Sequence, residues 1–145
     1  MPVEDTDPRD GAERLDFAWG DVHVNTISHR RDEVPATDGG LLCQMLFRHL
    51  THTQVLMPLD VPAVVAVAPP EVTLDSPSGA DRVQAFRLDP LTCVVLYRGT
   101  WHWGPFPVTA ESVELFNVQG LRYVEDNECA DLEAVGTPVE VRLGG

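Results

Sequence analysis

The chain has 145 residues, enough for one domain with a hydrophobic core of its own. Its 23 acidic and 10 basic residues leave a formal charge of −13, which excludes a nucleic-acid or anionic-membrane surface as the expected partner. Apolar residues make up 43%, closely punctuated by 12 Pro and 11 Gly, a pattern that favours many short strands over long helices. Every basic residue is arginine. Cys43, Cys93 and Cys129 are odd in number and far apart, with no CxxC, so neither a zinc ribbon nor a disulfide framework is supported. The acidic start Met1-Pro2-Val3-Glu4-Asp5 lacks the apolar centre of a signal peptide, and no run approaches the ~18 to 20 apolar residues of a membrane span. A cytoplasmic protein is the expectation.

Residues 1–14 are polar and carry Pro and Gly, so they are expected to be poorly ordered, with the folded domain over 15–145. Leu15 to Trp19 alternates apolar with small or polar residues and turns at Gly20-Asp21. Val22 to Ile27 alternates again, a half-buried strand with His23 opposite Val22 and Val24. Ser28 to Gly40 reads as a polar loop holding His29, Arg30 and Arg31. Leu41 to Leu50 is apolar and fits strand better than helix. Thr53 to Val67 is the strongest β signal, with Pro58 and Pro62 at bends or edges. Pro69-Pro70 and Asp75 to Gly79 are turns. Arg82–Leu88, Cys93–Tyr97, Val113–Val118 and Val139–Leu143 complete about nine strands, with at most one short helix near 127–135. That is a single all-β sandwich or barrel. Long apolar edge strands would allow a homodimer.

Two stretches carry candidate chemistry. Tyr97-Arg98-Gly99-Thr100-Trp101-His102-Trp103-Gly104-Pro105 crowds aromatic rings around one His and one Arg, and Gly and Pro then end the segment. That composition suits either a core segment or the wall of a pocket for a small polar ligand. In Arg48-His49-Leu50-Thr51-His52-Thr53-Gln54, His49 and Gln54 are five apart, an odd separation that places them on opposite faces of a regular strand. They meet only if the chain turns between them. Arg48 and Arg98 have the fork that clamps a carboxylate, though an outward surface charge is the commoner fate of an arginine. His52 reads as rim rather than ligand, Cys129 as a packed thiol, and Asp126-Asn127 as a turn or helix cap.

His49, four residues and then Gln54 resembles the cupin spacing of a His and a Glu that share a metal, with Gln in place of Glu and Phe47 where an earlier cupin His would stand. Gly99-Thr100-Trp101-His102 resembles the Gly-x-x-His of the second cupin motif. Four segments in order narrow the likeness. Phe17-Ala18-Trp19-Gly20-Asp21-Val22 resembles the Phe-x-x-Tyr-Gly-Asp-Val opening of bacterial ureidoglycolate lyases, small cupin-fold enzymes of allantoin breakdown. Arg48-His49…Thr53-Gln54…Pro58 is similar to their Arg-His-x-x-x-Thr-Gln-x-x-x-Pro, and Gly99 to His102 to their Gly-x-Trp-His. Asp126 to Asp131 resembles their Asp-Asn-Cys-Asp ending, with one residue inserted on each side of Cys129.

The resemblance implies a cupin-type jelly-roll barrel and a lyase that splits ureidoglycolate into glyoxylate and urea. His49 and His102 would be catalytic, and Arg48, Gln54, Arg98, Trp101 and Trp103 would bind a small anionic metabolite. No cofactor is expected; a weakly held divalent ion would use His49, Gln54 and His102, for which a neutral amide is a poor ligand. A metal-dependent isomerase or dioxygenase, and a ligand-binding cupin without turnover, are the alternatives. One departure stands out. Where the family continues Trp-His-His-Pro-Leu, this chain reads Trp101-His102-Trp103-Gly104-Pro105, so an indole replaces a group able to move protons. A bulkier substrate than ureidoglycolate is therefore expected.

Overall fold

Strand β1, Val22–Arg30, sets the frame of the first sheet: Val22, Val24, Thr26, Ser28 and Arg30 face out, while His23, Asn25, Ile27 and His29 are half-buried on the inner face. The computed structural model describes residues 22–120 and 125–144, together with Leu15 and Phe17. The N-terminal segment 1–14 and most of the Leu15 to Asp21 stretch lie outside the described residues. The strand runs three residues beyond the expected boundary at Ile27. Its partner β9, Ser112–Gly120, is equally long and pairs antiparallel from Val22↔Gly120 to Arg30↔Ser112. Cross-strand pairing outweighs the polar composition of Ser28-His29-Arg30, and a single 3-10 turn, Arg31–Glu33, ends the element. His29 thereby joins the inner face instead of a loop.

The remaining strands are β2 (Gly40–Cys43), β3 (Met45–Arg48), β4 (Gln54–Pro58), β5 (Ala63–Ala68), β6 (Gln84–Leu88), β7 (Val94–Leu96), β8 (Trp101–Pro107), β10 (Glu128–Asp131) and β11 (Val139–Arg142). One sheet has the order β1-β9-β4-β7, the second β10-β3-β8-β5-β6, and β11 pairs with β2 alongside them. The fold is an all-β cupin-type sandwich in a single domain, as expected. The main core joins β2, β3, β5, β8 and β11 through Leu41, Cys43, Leu46, Val64, Ala66, Trp101, Trp103 and Val141. Burying a side chain of leucine or valine size contributes roughly 1.5–3 kcal/mol. A smaller cluster of Ala63, Val113 and Leu115 packs on Ile27 and Val61. No helix among the described residues is long and apolar enough to cross a membrane.

Three local expectations are corrected. The segment after Asn127 is not helical: Glu128–Asp131 pairs antiparallel with β3, Glu128 opposite Arg48, and Cys129 is exposed on that edge strand rather than packed. Pro77–Ala80, overlapping the end of the turn expected over Asp75 to Gly79, forms one helical turn with Pro near its start, where the missing N–H costs nothing. Gly104-Pro105 does not end its segment. β8 runs on to Pro107 through a bulge, with Ala66 opposite Trp103 and Val64 opposite Phe106, and the Gly104–Pro105 bond is cis. Gly104 has φ +84, and a Cβ there would lie 2.9 Å from the Phe106 nitrogen and 3.0 Å from the Val64 oxygen. Only glycine fits that bend without displacing backbone.

Candidate functional site

β3 belongs to the second sheet and β4 to the first, so the five residues from His49 to Thr53 carry the chain from one sheet to the other. This is the turn that lets His49 and Gln54 meet despite their odd spacing. Asp126 holds it. Its Oδ1 accepts the Leu50 N–H at 2.8 Å, and its Oδ2 accepts the Thr51 N–H at 2.8 Å and the Thr51 hydroxyl in a short contact. Its backbone carbonyl accepts the His49 Nδ1–H at 2.6 Å. His52 stacks on His49 with ring centroids 4.6 Å apart, its Nδ1 3.4 Å from the Asp126 carboxylate.

His102 enters from β8, opposite Phe47 of β3, with its ring 5.3 Å from that of His49. Its Nδ1 lies 3.3 Å from the Thr100 carbonyl, and the Nδ1 of His29 lies 2.8 Å from the Pro105 carbonyl. A carbonyl can only accept, so each of these three rings carries its proton on Nδ1 and, when neutral, keeps its lone pair on Nε2. His29, His49, His102 and Gln54 line one cavity of about 470 Å³ between the sheets, together with Ile27, Phe47, Leu56, Trp103 and Phe106.

Of the residues singled out in the sequence, His49, Gln54, His102 and Trp103 are on the cavity wall; Arg48, Arg98 and Trp101 are not. Arg48 points to the other side of β3, bound through Nε and Nη2 to Glu128 at 3.1 and 3.0 Å and lying 4.2 Å from the Trp101 ring centroid. Trp101 faces the core on that side and donates from Nε1 to the Val72 carbonyl at 3.2 Å. Strand alternation separates both from His102. Arg98 is half-buried in the turn between β7 and β8, outside the cavity wall. Trp103, next to His102 in regular register, belongs to the buried core with Trp101 and packs its ring 4.6 Å from Phe106, while the residue also borders the cavity. Among the described lining residues there is no arginine, and the only carboxylate is Glu33.

Sequence reasoning gave His29, Asn25 and Asn117 no place at the site, and read Asp126-Asn127 as a turn or cap within a family-like segment rather than as part of the site. For His29 a signal existed: the alternation His23, Asn25, Ile27 continues to it. Asp126 stood in a family-like segment, but what it holds was not legible there, because its partners lie 75 to 76 residues away in the chain.

A family model described as ureidoglycolate lyase matches residues 11–142, nearly the whole of the chain and all of the cavity wall. The chain belongs to the ureidoglycolate lyase family. No curated protein matches it. The family carries a lyase-like cupin function, and in this ureidoglycolate lyase family member the two motif histidines, His49 and His102, meet at the cavity. Among the described residues no group of three or more His, Cys, Asp or Glu side chains is arranged to hold a metal ion.

The protonation of the site follows from its burial. Burial, and then the neighbouring His49, pushes His102 down to about 4, and the same two causes push His52 down to about 4 against the opposing pull of Asp126. Both rings are neutral near pH 7. Burial alone would raise the Asp126 carboxyl, but the bonds from the Thr51 hydroxyl and the Leu50 and Thr51 N–H groups prevail and hold it below its ordinary value. An unfolded histidine titrates near ~6.5. Between that pH and about 4 the unfolded chain binds protons that native His102 and His52 do not. Stability is therefore complete above the unfolded value and falls as pH drops toward the native one, by on the order of 3 kcal/mol for His102. Urea unfolding at pH 7 and pH 5 should show about 2 kcal/mol of this loss from His102, and His102→Gln should flatten the slope. An unchanged slope in that variant would contradict the assignment.

Proposed function

We propose that the protein is a lyase that cleaves the C–N bond of a ureido-bearing hydroxy acid, with His49 as the proton carrier. The observation that carries this reading is the pair His49 and His102, each with Nδ1 committed to a backbone carbonyl and Nε2 left as a lone pair beside Gln54 in one cavity. His49 Nε2 takes the proton of the carbinol hydroxyl. The electron pair of that O–H bond closes the carbonyl, and the C–N bond breaks with its electrons leaving on the ureido nitrogen. That nitrogen then takes the proton back from the His49 imidazolium. One ureido acid becomes one aldehyde acid and one urea, with no proton gained or lost. His102, neutral because it is buried, accepts a hydrogen bond from the substrate. Arg48 is tied to Glu128 and does not line the cavity, so it is not the clamp for a substrate carboxylate.

The substrate we propose is larger than ureidoglycolate and still anionic. The cavity holds the volume of about sixteen waters at roughly 30 Å³ each, and Trp103 borders it where the family pattern has a second histidine. The test follows urea and glyoxylate release from ureidoglycolate by the native protein and by Trp103→His. Native turnover should be weak, and a ureidoglycolate with a bulky group on its internal nitrogen, the terminal NH2 kept, should be cleaved at least tenfold faster. Vigorous native turnover of ureidoglycolate would overturn the bulkier substrate and leave the family reaction in place.

A further inference from the structure

Three amides cross the first sheet in a row. Gln54 of β4 donates from Nε2 to Oδ1 of Asn117 at 2.9 Å, and Asn117 of β9 donates from Nδ2 to Oδ1 of Asn25 at 2.9 Å. Asn25 and Asn117 are directly opposite in the β1–β9 ladder, and Asn117 is opposite Leu56 of β4. Asn117 is fully buried and Gln54 is 6% exposed. The row has a direction. Because Asn117 spends its NH2 on Asn25, it presents oxygen to Gln54, and a flipped Gln54 would set two oxygens against each other. In this row Gln54 has its NH2 toward Asn117 and its oxygen turned the other way.

That oxygen, Oε1, is buried and meets no donor, although Gln54 lines the cavity. A buried acceptor without a partner calls for an explanation, and a ligand is one. Its neighbours on the wall cannot satisfy it in their bonded tautomers, since His49 and His102 both direct their N–H to backbone carbonyls. The polar wall displays acceptors only at these three positions, the complement of a group rich in N–H.

We infer that Asn117 and Asn25 are positioning residues that aim Gln54 Oε1 at the terminal NH2 of the ligand's ureido group. The inference rests on the ureido-acid reading above and adds which end of the ligand is recognised and how. It separates a ureido ligand from one in which a methyl group occupies the place of that NH2, because the methyl leaves the buried oxygen unpaired.

The test compares binding of ureidoacetate and N-acetylglycine, anions of closely similar shape that differ in NH2 against CH3, by titration calorimetry. Neither has the carbinol oxygen needed for cleavage, so the measurement does not depend on turnover. The native protein should prefer ureidoacetate at least tenfold. Asn117→Leu should bring the ratio close to one. Asn25→Val removes the acceptor that orients Asn117 and should reduce the ratio from a residue that does not touch the cavity, whereas Asn25→Asp keeps that acceptor and should preserve it. A purely structural loss would weaken both ligands alike and leave the ratio unchanged. The half-buried Asn25 pair carries the test if Asn117→Leu does not fold. Equal native binding of the two ligands, no ureidoacetate binding, or an unchanged ratio in Asn25→Val would overturn the inference. A ureidoacetate preference without product from any ureido hydroxy acid would instead leave it standing and remove the lyase reading.

Discussion

His49→Asn is expected to lower kcat by about 10²- to 10⁴-fold, the range supplied by a positioned general base, on whichever ureido acid the native protein cleaves. Asparagine can keep an N–H directed at the Asp126 carbonyl, now 2.6 Å from His49 Nδ1, while offering no group that titrates. Its thermal unfolding should therefore stay close to that of the native protein. His49→Ala should lose as much activity and also leave that carbonyl without its donor, a further cost of about 1–3 kcal/mol. The contrast separates chemistry from folding. Steady-state kinetics beside calorimetry check it, and a His49→Asn protein that kept more than a tenth of native kcat would remove His49 from the proton-carrying role.

The difference between what could and could not be read in the sequence follows the reach of each interaction. The short β-branched runs Ala63–Ala68 and Val94–Leu96 fix strands on their own, since burial on a pleated surface selects them. The motif residues His49, Gln54 and His102 were legible as a set through their match to the cupin and family motifs, although strand parity alone separates His49 from Gln54. What failed was direction. Arg48 and Trp101 stand beside motif histidines in sequence, yet alternation turns them to the far side of the second sheet, where Glu128 and Val72 hold them. Trp103 follows the same rule: alternation after His102 holds, and its ring joins the core with Trp101 although the residue borders the cavity. The edge strand after Asn127 was invisible for a related reason. Glu128–Asp131 is short and polar, and only its ladder with β3 and the Arg48–Glu128 pair make it a strand. The amide row of Gln54, Asn117 and Asn25 joins residues 63 and 92 positions apart, and no local pattern in a chain reports such a contact.

Asp126→Ala is expected to be the most damaging single substitution at the site. It deletes three bonds at once, from the Leu50 and Thr51 N–H groups and the Thr51 hydroxyl, all to one ionised carboxylate. Hydrogen bonds to charged groups contribute about 1.5–3 kcal/mol each. Leu50 is exposed and Thr51 half-buried, so water recovers part of the loss, and about 3 kcal/mol is the expected net cost. The same change frees the turn that carries His49 from the second sheet to Gln54 in the first. A displacement of about 1 Å in a positioned group costs on the order of 10² in rate, so kcat should fall at least that far even in protein that remains folded. Asp126→Asn isolates the electrostatic share: one carboxamide oxygen still accepts from the turn, but its NH2 faces donors, so its stability and kcat should lie between those of alanine and native. The native advantage must also be pH-dependent. The Asp126 carboxyl is held below its ordinary value in the fold, so its contribution is present above the unfolded carboxyl's ~3.9 and disappears as pH falls through the native value. Urea unfolding of native and Asp126→Ala proteins at pH 7 and pH 3 should thus show a gap that narrows in acid. A gap that is absent at pH 7, or one that widens in acid, would show that the turn is held by something other than this carboxylate.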